Sequence, residues 1–340
     1  VPHRPSRQRR LIPSVVSMLA AYAAAQDRAN PLSGLVIGER PEPQERPGWV
    51  TVDLRASGLN HHDVWSLMGV GLAPDRLPMI LGCDGAGVTP DGREVIIHAV
   101  VASEGWQGDE TLDPARTLLS ELHPGTLAER VSVPLHNVVP KPEGMSWATA
   151  ACLSTAWLTA YRMLFVNAGV TPGATVLVQG AGGGVATALI QLGAAAGYRM
   201  WVTSRDEAKG AKALEIGADL AFGSGERLPE RVDAVMETVG AATWSHSVNS
   251  LKPGGTIVIS GATSGDAPAK AELTKIFFKQ LRVVGSTMGS RAELERLAQF
   301  VVARGIEPVI DSTVSLADAR VGFERMAAGE LFGKVVVTVS

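Results

Sequence analysis

Apolar and polar residues alternate along Trp49-Val-Thr-Val-Asp-Leu-Arg, and that period of two predicts a half-buried strand. Gly34–Gly38 and Arg93–Ala99 carry β-branched residues bounded by Pro, Gly and Asp, which predicts two more. Asp91-Gly92 predicts a hairpin turn. Leu77–Gly87 is an apolar run ending in glycines, a strand that turns sharply. Residues 104–124 show little periodicity and read as a loop with a short helix. Near residue 141 the pattern changes. Ser146–Asn167 is Ala-rich with few breakers, a helix broken near Leu153–Trp157. Then come strand Thr175–Gln179, a glycine turn, helix Val185–Ala196, strand Arg199–Thr203 and helix Glu207–Ile216. Strands Ala234–Glu237, Gly255–Ser260 and Leu281–Gly285 follow, then helix Arg291–Arg304 and, after short β and helical pieces, strand Lys334–Val339. Strand and helix alternating at this spacing imply βαβ units and a parallel sheet, hence an α/β fold.

Composition narrows the function classes. A length of 340 residues suggests two domains, and 46% hydrophobic against 19% charged residues describes a chain that folds around large cores. A net charge of −3 offers no basic excess for phosphate neutralisation, so no nucleic-acid partner is expected. Cys83 and Cys152 cannot build a disulfide framework or, alone, a structural zinc site. No apolar run reaches the ~20 residues of a membrane span, so no membrane partner is expected.

Residues 1–17 place Arg4, Arg7, Arg9 and Arg10 before the apolar stretch Leu11–Ala25, the outline of a secretory signal. Pro13 interrupts that stretch, and the sparse cysteines suit a reducing compartment. The expectation is therefore a solvated extension over 1–17 and a cytoplasmic protein.

The most informative segment is Val176-Leu-Val-Gln-Gly-Ala-Gly-Gly-Gly-Val-Ala. A buried strand runs into Gly180, Ala181, Gly182, Gly183, Gly184 and Val185, and a helix begins at once. Glycines there let the backbone turn tightly and approach a pyrophosphate, while the helix N-terminus offers free N–H groups. The next strand ends in Thr203-Ser204-Arg205, with Lys209 a turn further on. An NAD site usually has an acid at that strand end. Hydroxyls and cations suit a 2′-phosphate, so NADPH is the expected cofactor; Asp206 falls one step late.

Ala56-Ser-Gly-Leu-Asn-His-His-Asp, Leu77-Pro-Met-Ile-Leu-Gly-Cys-Asp-Gly-Ala-Gly and Gly125-Thr-Leu-Ala-Glu follow one another in the first part of the chain. Leu158-Thr-Ala-Tyr, the glycine loop, Leu251-Lys-Pro-Gly-Gly and Gly333-Lys-Val-Val-Val come after them. In that order the chain resembles the medium-chain dehydrogenase/reductase superfamily, and most its zinc-free quinone oxidoreductase branch. The resemblance covers about residues 18–340. It implies a GroES-like β-rich catalytic domain from residues 18–140 and 305–340, with a Rossmann doubly wound parallel-sheet domain, 141–304, inserted between them. It further implies an active site in the cleft and a two-fold homodimer built on the sheet edge near Gly255–Phe278.

Alcohol dehydrogenases of this superfamily hold zinc with Cys, His and Cys. The matching positions here are Asn60, Cys83 and Thr155, of which only Cys83 is a good ligand. The expectation is no metal, although His61, His62 and Asp84 stand near enough in sequence to compensate. Without a Lewis acid, alcohol oxidation is disfavoured. The expected reaction is NADPH-dependent hydride transfer to a quinone or enone, with an alcohol dehydrogenase or a non-enzymatic cofactor sensor as alternatives. The expected catalytic residues are Asn60, its amide facing nicotinamide or substrate, and His61 as proton or hydrogen-bond donor. His61 is preferred over His62, which points the opposite way on extended backbone. Asp63 orients a neighbour or caps the following helix. Trp65 and Trp157 are candidate pocket walls as well as ordinary core. Thr159, Thr238, Val239, Gly261, Ala262 and Thr263 are expected to border the cofactor.

Overall fold

The computed structural model describes residues 16–339, so most of the basic extension lies outside the described residues. Inside the apolar stretch that imitates a signal, Ser17–Ala23 is a strand paired antiparallel with Leu35–Pro41. Met18, Ala20, Ala21 and Ala23 are buried there, so this part belongs to the fold.

Both ends of the chain build one sheet. Trp49–Gly58 is its long central strand, with alternating burial in its middle as its pattern predicts. It pairs antiparallel with Asp84–Val88, with Arg130–Pro134 and with Lys334–Thr338, and Ile310–Ser315 lies parallel beyond the last. The turn at Asp91-Gly92 joins Asp84–Val88 to Glu94–Ile97, which pair antiparallel. Leu77–Gly87 is two strands, Met79–Ile80 and Asp84–Val88, broken at Gly82. Gly82 has a φ of +102°, where a Cβ would meet Thr126 and Leu127 within 3 Å. A core of Val52, Leu54, Leu67, Leu81, Leu127, Phe323 and Val337 fills this unit.

Six parallel strands make the second sheet, in the order Leu220–Gly223, Arg199–Ser204, Thr175–Gln179, Val232–Glu237, Leu251–Ile259 and Arg282–Gly285. Its central strand Thr175–Gln179 is buried throughout, as strands covered on both faces must be. One core lies on each face: Val176, Leu189, Met200 and Leu297 on one side, Leu177, Trp201, Val235 and Ile257 on the other. The strand Leu220–Gly223 and the helices Trp244–Ser250 and Ala319–Ala328 are too weakly patterned to stand out in the sequence. The edge of this sheet is Arg282–Gly285, and Leu251–Ile259 lies one strand in, which corrects the expected edge at Gly255–Phe278.

The helix expected over Ser146–Asn167 is built in four pieces, with wide π-type turns at Leu153–Trp157 and Arg162–Asn167. The seam between the two units is polar. Arg162 donates to Glu293 (2.8 Å), to Thr111 and to Asp109 (both 2.6 Å). His98 Nε2 lies 2.8 Å from the Gly289 carbonyl.

Candidate active site

Two constructions meet where Lys334 Cδ would lie 3.0 Å from a Cβ on Gly184: a backbone cradle on the parallel sheet and a side-chain cluster on the antiparallel one. The cradle starts where Thr175–Gln179 ends. Gly180 has a φ of +90°, which turns the chain out of the sheet. Gly183 has open space where a Cβ would be, so its backbone is free to be approached. Helix Gly184–Ala195 follows with Gly183 as N-cap and no side-chain cap, leaving its first N–H groups available. Twelve residues of helix focus partial positive charge on this end. These features fit the pyrophosphate of a dinucleotide.

Below the cradle is a polar floor. Thr203 is buried and donates to Gln179 Oε1 (2.7 Å), and its hydroxyl accepts from Gly180 N (3.3 Å). Its hydroxyl is thereby committed to the loop, a correction to the expectation that it reads a ribose phosphate. Ser204 is turned to Asp206, donating to its carbonyl (2.7 Å). Asp206 caps helix Glu207–Glu215 by accepting from Ala208 N (2.8 Å) and Lys209 N (3.3 Å). Arg205 is exposed and has no partner among the described residues. Lys209 donates to the Gly329 carbonyl (2.7 Å). Glu237 is buried yet satisfied: Val239 N (2.8 Å), Gly240 N (3.0 Å), Thr243 and Ser247 (2.6 Å) all donate to it. This fixes the loop holding Thr238 and Val239. The loops after two neighbouring strands touch: Thr263 donates to the Thr238 carbonyl (3.4 Å), Ser264 to that of Val239 (2.7 Å). A Cβ on Gly261 would meet the Thr238 carbonyl at 3.0 Å, with Ala262 beside it. Thr159 is buried on helix Leu158–Tyr161, and Ala181 is buried beside the glycines.

The cluster centres on Lys334, at the start of strand Lys334–Thr338 and 2% exposed. Its ammonium donates to the Leu59 carbonyl (2.7 Å), Asn60 Oδ1 (2.7 Å) and Asp84 Oδ2 (2.8 Å), which uses all three hydrogens. Asn60 Nδ2 donates to Asp84 Oδ2 (2.9 Å) and to the Gly58 carbonyl (3.3 Å). Both amide hydrogens therefore stay inside the protein. This corrects the expectation that Asn60 presents its amide to a substrate; it is a node of the cluster. Asp84 Oδ1 and Thr155 Oγ1 are buried without a partner among the described residues. Asp63 accepts from Asn60 N (2.8 Å) and Gly82 N (2.9 Å), capping helix His61–Leu67 and pinning the glycine turn.

His61 and His62 sit in the first turn of that helix, not on extended backbone, and still part company. His61 is exposed, its ring 6.4 Å from that of Trp65. Surrounding protein and the Lys334 charge lower its pKa, so at neutral pH it is an uncharged imidazole. His62 turns inward: Nε2 lies 2.9 Å from Glu121 Oε1 and Nδ1 3.5 Å from Cys83 Sγ. Burial opposes its protonation, but Cys83, Glu121 and Asp63 outweigh burial and raise its pKa to about 11. Trp65 is exposed, whereas Trp157 is fully buried and belongs to the core. Burial pushes the Cys152 thiol up to about 12, so it packs as a small apolar group.

Residues 46–143 match the family described as "Alcohol dehydrogenase GroES-like domain", and residues 184–303 the one described as "Zinc-binding dehydrogenase". The chain is 32% identical to "Zinc-type alcohol dehydrogenase-like protein YogA" of Leptosphaeria maculans, covering 88% of this chain and 92% of that one. The chain belongs to the medium-chain dehydrogenase/reductase superfamily.

This dehydrogenase/reductase is 28% identical to "Acryloyl-coenzyme A reductase" of Metallosphaera sedula, covering 90% of the chain and 96% of the relative. Among solved structures it resembles one titled as an NAD-dependent alcohol dehydrogenase, with a TM-score of 0.87 at 32% identity, covering 95% of this chain and 100% of that one. It is an oxidoreductase that uses a nicotinamide cofactor. The zinc that the family description implies does not fit the residues present. Asn60 and Thr155 are not zinc ligands, and an ammonium already binds Asn60 and Asp84. Among the described residues no three His, Cys, Asp or Glu side chains are placed to hold a metal ion. None of the described helices is long and apolar enough to cross a membrane.

Proposed function

We propose that this dehydrogenase/reductase reduces a quinone or an α,β-unsaturated carbonyl compound with NADPH and without zinc, as in the quinone oxidoreductase branch it resembles. The observation that carries this reading is the Lys334–Asn60–Asp84 cluster at the corner where metal-dependent relatives would need ligands. A corner already satisfied by an ammonium has no thiolate or imidazole set to lower the pKa of an alcohol. A conjugated carbonyl needs no such help, because its own π-system carries charge from the β-carbon to oxygen. A bound nicotinamide supplies the hydride. His61, uncharged and exposed, donates a hydrogen bond to the oxygen on which charge develops. Trp65 beside it offers an apolar wall for a flat substrate. Arg205, exposed and unpartnered among the described residues, is left to meet a 2′-phosphate.

The protein acts as a homodimer in this reading. The edge strand Arg282–Gly285 and the neighbouring helix Leu273–Phe278 expose Leu273, Phe277, Phe278 and Val283, a face suited to a second copy. Light scattering should give twice the chain mass at micromolar concentration; the single-chain mass overturns the dimer.

The deciding experiment mixes protein and NADPH with 9,10-phenanthrenequinone and a panel of enones and follows NADPH absorbance. Turnover that survives strong chelators is the expected result. Activity lost to a chelator and restored by zinc would favour an alcohol dehydrogenase. Tight NADPH binding without turnover on any substrate would favour a sensor.

A further inference from the structure

The proposed hydride transfer joins groups carried by different units. The glycine cradle belongs to the parallel sheet, whereas His61 follows strand Trp49–Gly58 of the antiparallel one. The units must be held in register, because a misplacement of about 1 Å costs about a hundredfold in rate. The seam between them is built for that task. On the antiparallel unit, Asp109 caps the 3₁₀ turn Glu110–Leu112 by accepting from Thr111 N (2.9 Å). Asp113 ties the far end of the turn, accepting from Ser103 N (2.6 Å) and Ala115 N (2.8 Å). The turn is thereby a braced plug.

The socket lies on the parallel unit. Arg162 is buried and directly follows helix Leu158–Tyr161, which holds Thr159. It opens the π-type turn Arg162–Asn167, a geometry frequent at functional sites. Its guanidinium crosses the seam to Thr111 Oγ1 and Asp109 Oδ2 (both 2.6 Å), and Thr111 Oγ1 donates onward to Asp109 Oδ1 (2.7 Å). Guanidinium, hydroxyl and carboxylate thus close a ring. Arg162 Nε donates to Glu293 Oε2 (2.8 Å), the same oxygen that accepts from Ser290 N (2.8 Å) in the capping box of helix Arg291–Ala303. Buried Glu110 accepts from Arg291 N (3.1 Å), a second tie to that helix start. The chain leading there is constrained. Met288 has a φ of +47°, and a Cβ on Gly289 would meet Leu158 Cγ at 2.6 Å. The plug therefore seats on the helix that carries Thr159. Three nitrogens in a rigid fork suit three acceptors on separate segments, which one flexible ammonium does not match.

We infer that the turn Glu110–Leu112 and Arg162 form a latch that sets the register between the two units, with Arg162 a positioning residue for hydride transfer. Only the kinetic arm of its test rests on the hydride-transfer reading.

The test compares wild type with Arg162→Met, which removes the charge and the fork, Arg162→Lys, which keeps the charge, and Thr111→Val, which opens the ring and keeps the shape. Fluorescence titration gives Kd for NADPH and the fraction of protein that binds it. Single-turnover oxidation of prebound NADPH then reads hydride transfer itself. The cradle is built within residues 175–195, so Kd should stay within about twofold in all three variants. The single-turnover rate should fall ten- to about a hundredfold in Arg162→Met and less in Arg162→Lys and Thr111→Val. A purely structural role would instead lower the fraction that binds NADPH and leave the rate per bound cofactor unchanged. That outcome, or a Kd that rises as far as the rate falls, overturns the inference. Where Arg162→Met does not fold, Arg162→Lys and Thr111→Val decide by the same criteria. Hydrogen exchange is the second arm. Peptides covering 104–113 and 286–293 should exchange faster in Arg162→Lys and Thr111→Val, with 175–195 at the wild-type rate; unchanged exchange at the seam overturns the latch. If no substrate is reduced, the reductase reading fails while the exchange arm still decides the latch.

Discussion

The glycine cradle and the Lys334 cluster adjoin at Gly184 and are built in opposite ways. The cradle is continuous backbone: one strand end, a run of glycines and a helix start, all within residues 175–195. The cluster is four side-chain or backbone groups from residues 59, 60, 84 and 334, brought together by three strands and a helix. A backbone site depends on conformations that glycine allows and tolerates change in its surroundings. A buried polar cluster depends on every partner being present, because each one removed leaves another unsatisfied. The difference teaches where each half is fragile.

The largest effect should come from breaking the cluster. Lys334→Met leaves the Asp84 carboxylate fully buried without its counter-charge, which costs ~3–5 kcal/mol in urea denaturation. A loss below ~1 kcal/mol would mean that the cluster repacks and the contrast with the cradle is false. Next is the cradle's charge reading. Arg205→Glu replaces one charge-assisted contact by repulsion and should weaken NADPH by ~2–3 kcal/mol while changing NADH little. Equal losses for both cofactors would remove the 2′-phosphate assignment. Gly180→Ala tests the backbone alone. A Cβ there meets nothing closer than 3.8 Å, so the cost is the φ of +90° itself, ~1–2 kcal/mol. It should weaken NADPH and NADH alike in a fluorescence titration, with the Lys334 cluster undisturbed.

The smallest effect lies on the seam between the two regions. His98 is buried, with Nε2 on the Gly289 carbonyl and Nδ1 without a partner among the described residues. Burial lowers its pKa; the Gly289 carbonyl and Glu110 pull the other way and do not prevail. A lowered histidine pKa means that the unfolded chain takes up a proton the folded one refuses. The stability it contributes is complete above about pH 6.5 and falls as pH drops below it, by at most ~1.4 kcal/mol per pH unit. His98→Gln should flatten that part of the pH–stability curve; an unchanged slope would assign it to other groups.

The same contrast explains what was legible in the sequence. Val176–Val178, the glycines and the helix after them are neighbours in the chain, so pattern alone locates the cradle and the parallel sheet. Strand Trp49–Gly58 announces itself by alternation. The cluster has no local pattern. Asn60 reads as a free donor, yet both its amide hydrogens and its oxygen are taken, because its partners Asp84 and Lys334 are distant in sequence. Lys334 carries one signal, a lone charge opening a run of valines, and only the packing of Trp49–Gly58 against Lys334–Thr338 gives that signal a meaning. Gln179 and Glu237 look like ordinary strand ends until the helix Trp244–Ser250 brings Ser247 beneath both. Thr203 has the right residue type for a ribose contact, yet the alternation of the strand turns it inward to Gln179.

The position of strand Lys334–Thr338 also sets an order of assembly. It lies inside the antiparallel sheet, between Trp49–Gly58 and Ile310–Ser315, yet it leaves the ribosome after the entire parallel sheet. The strands from Thr175 to Gly285 can pair as they emerge, whereas Ala56–Gly58, beyond the stretch of that strand paired with Arg130–Pro134, waits for a partner until residues 336–338 are made. The parallel sheet is made first, and the ammonium that completes the Lys334 cluster arrives with the strand that closes the other unit. The strand that seats Lys334 beside Asp84 is thus among the last parts of the chain to be made.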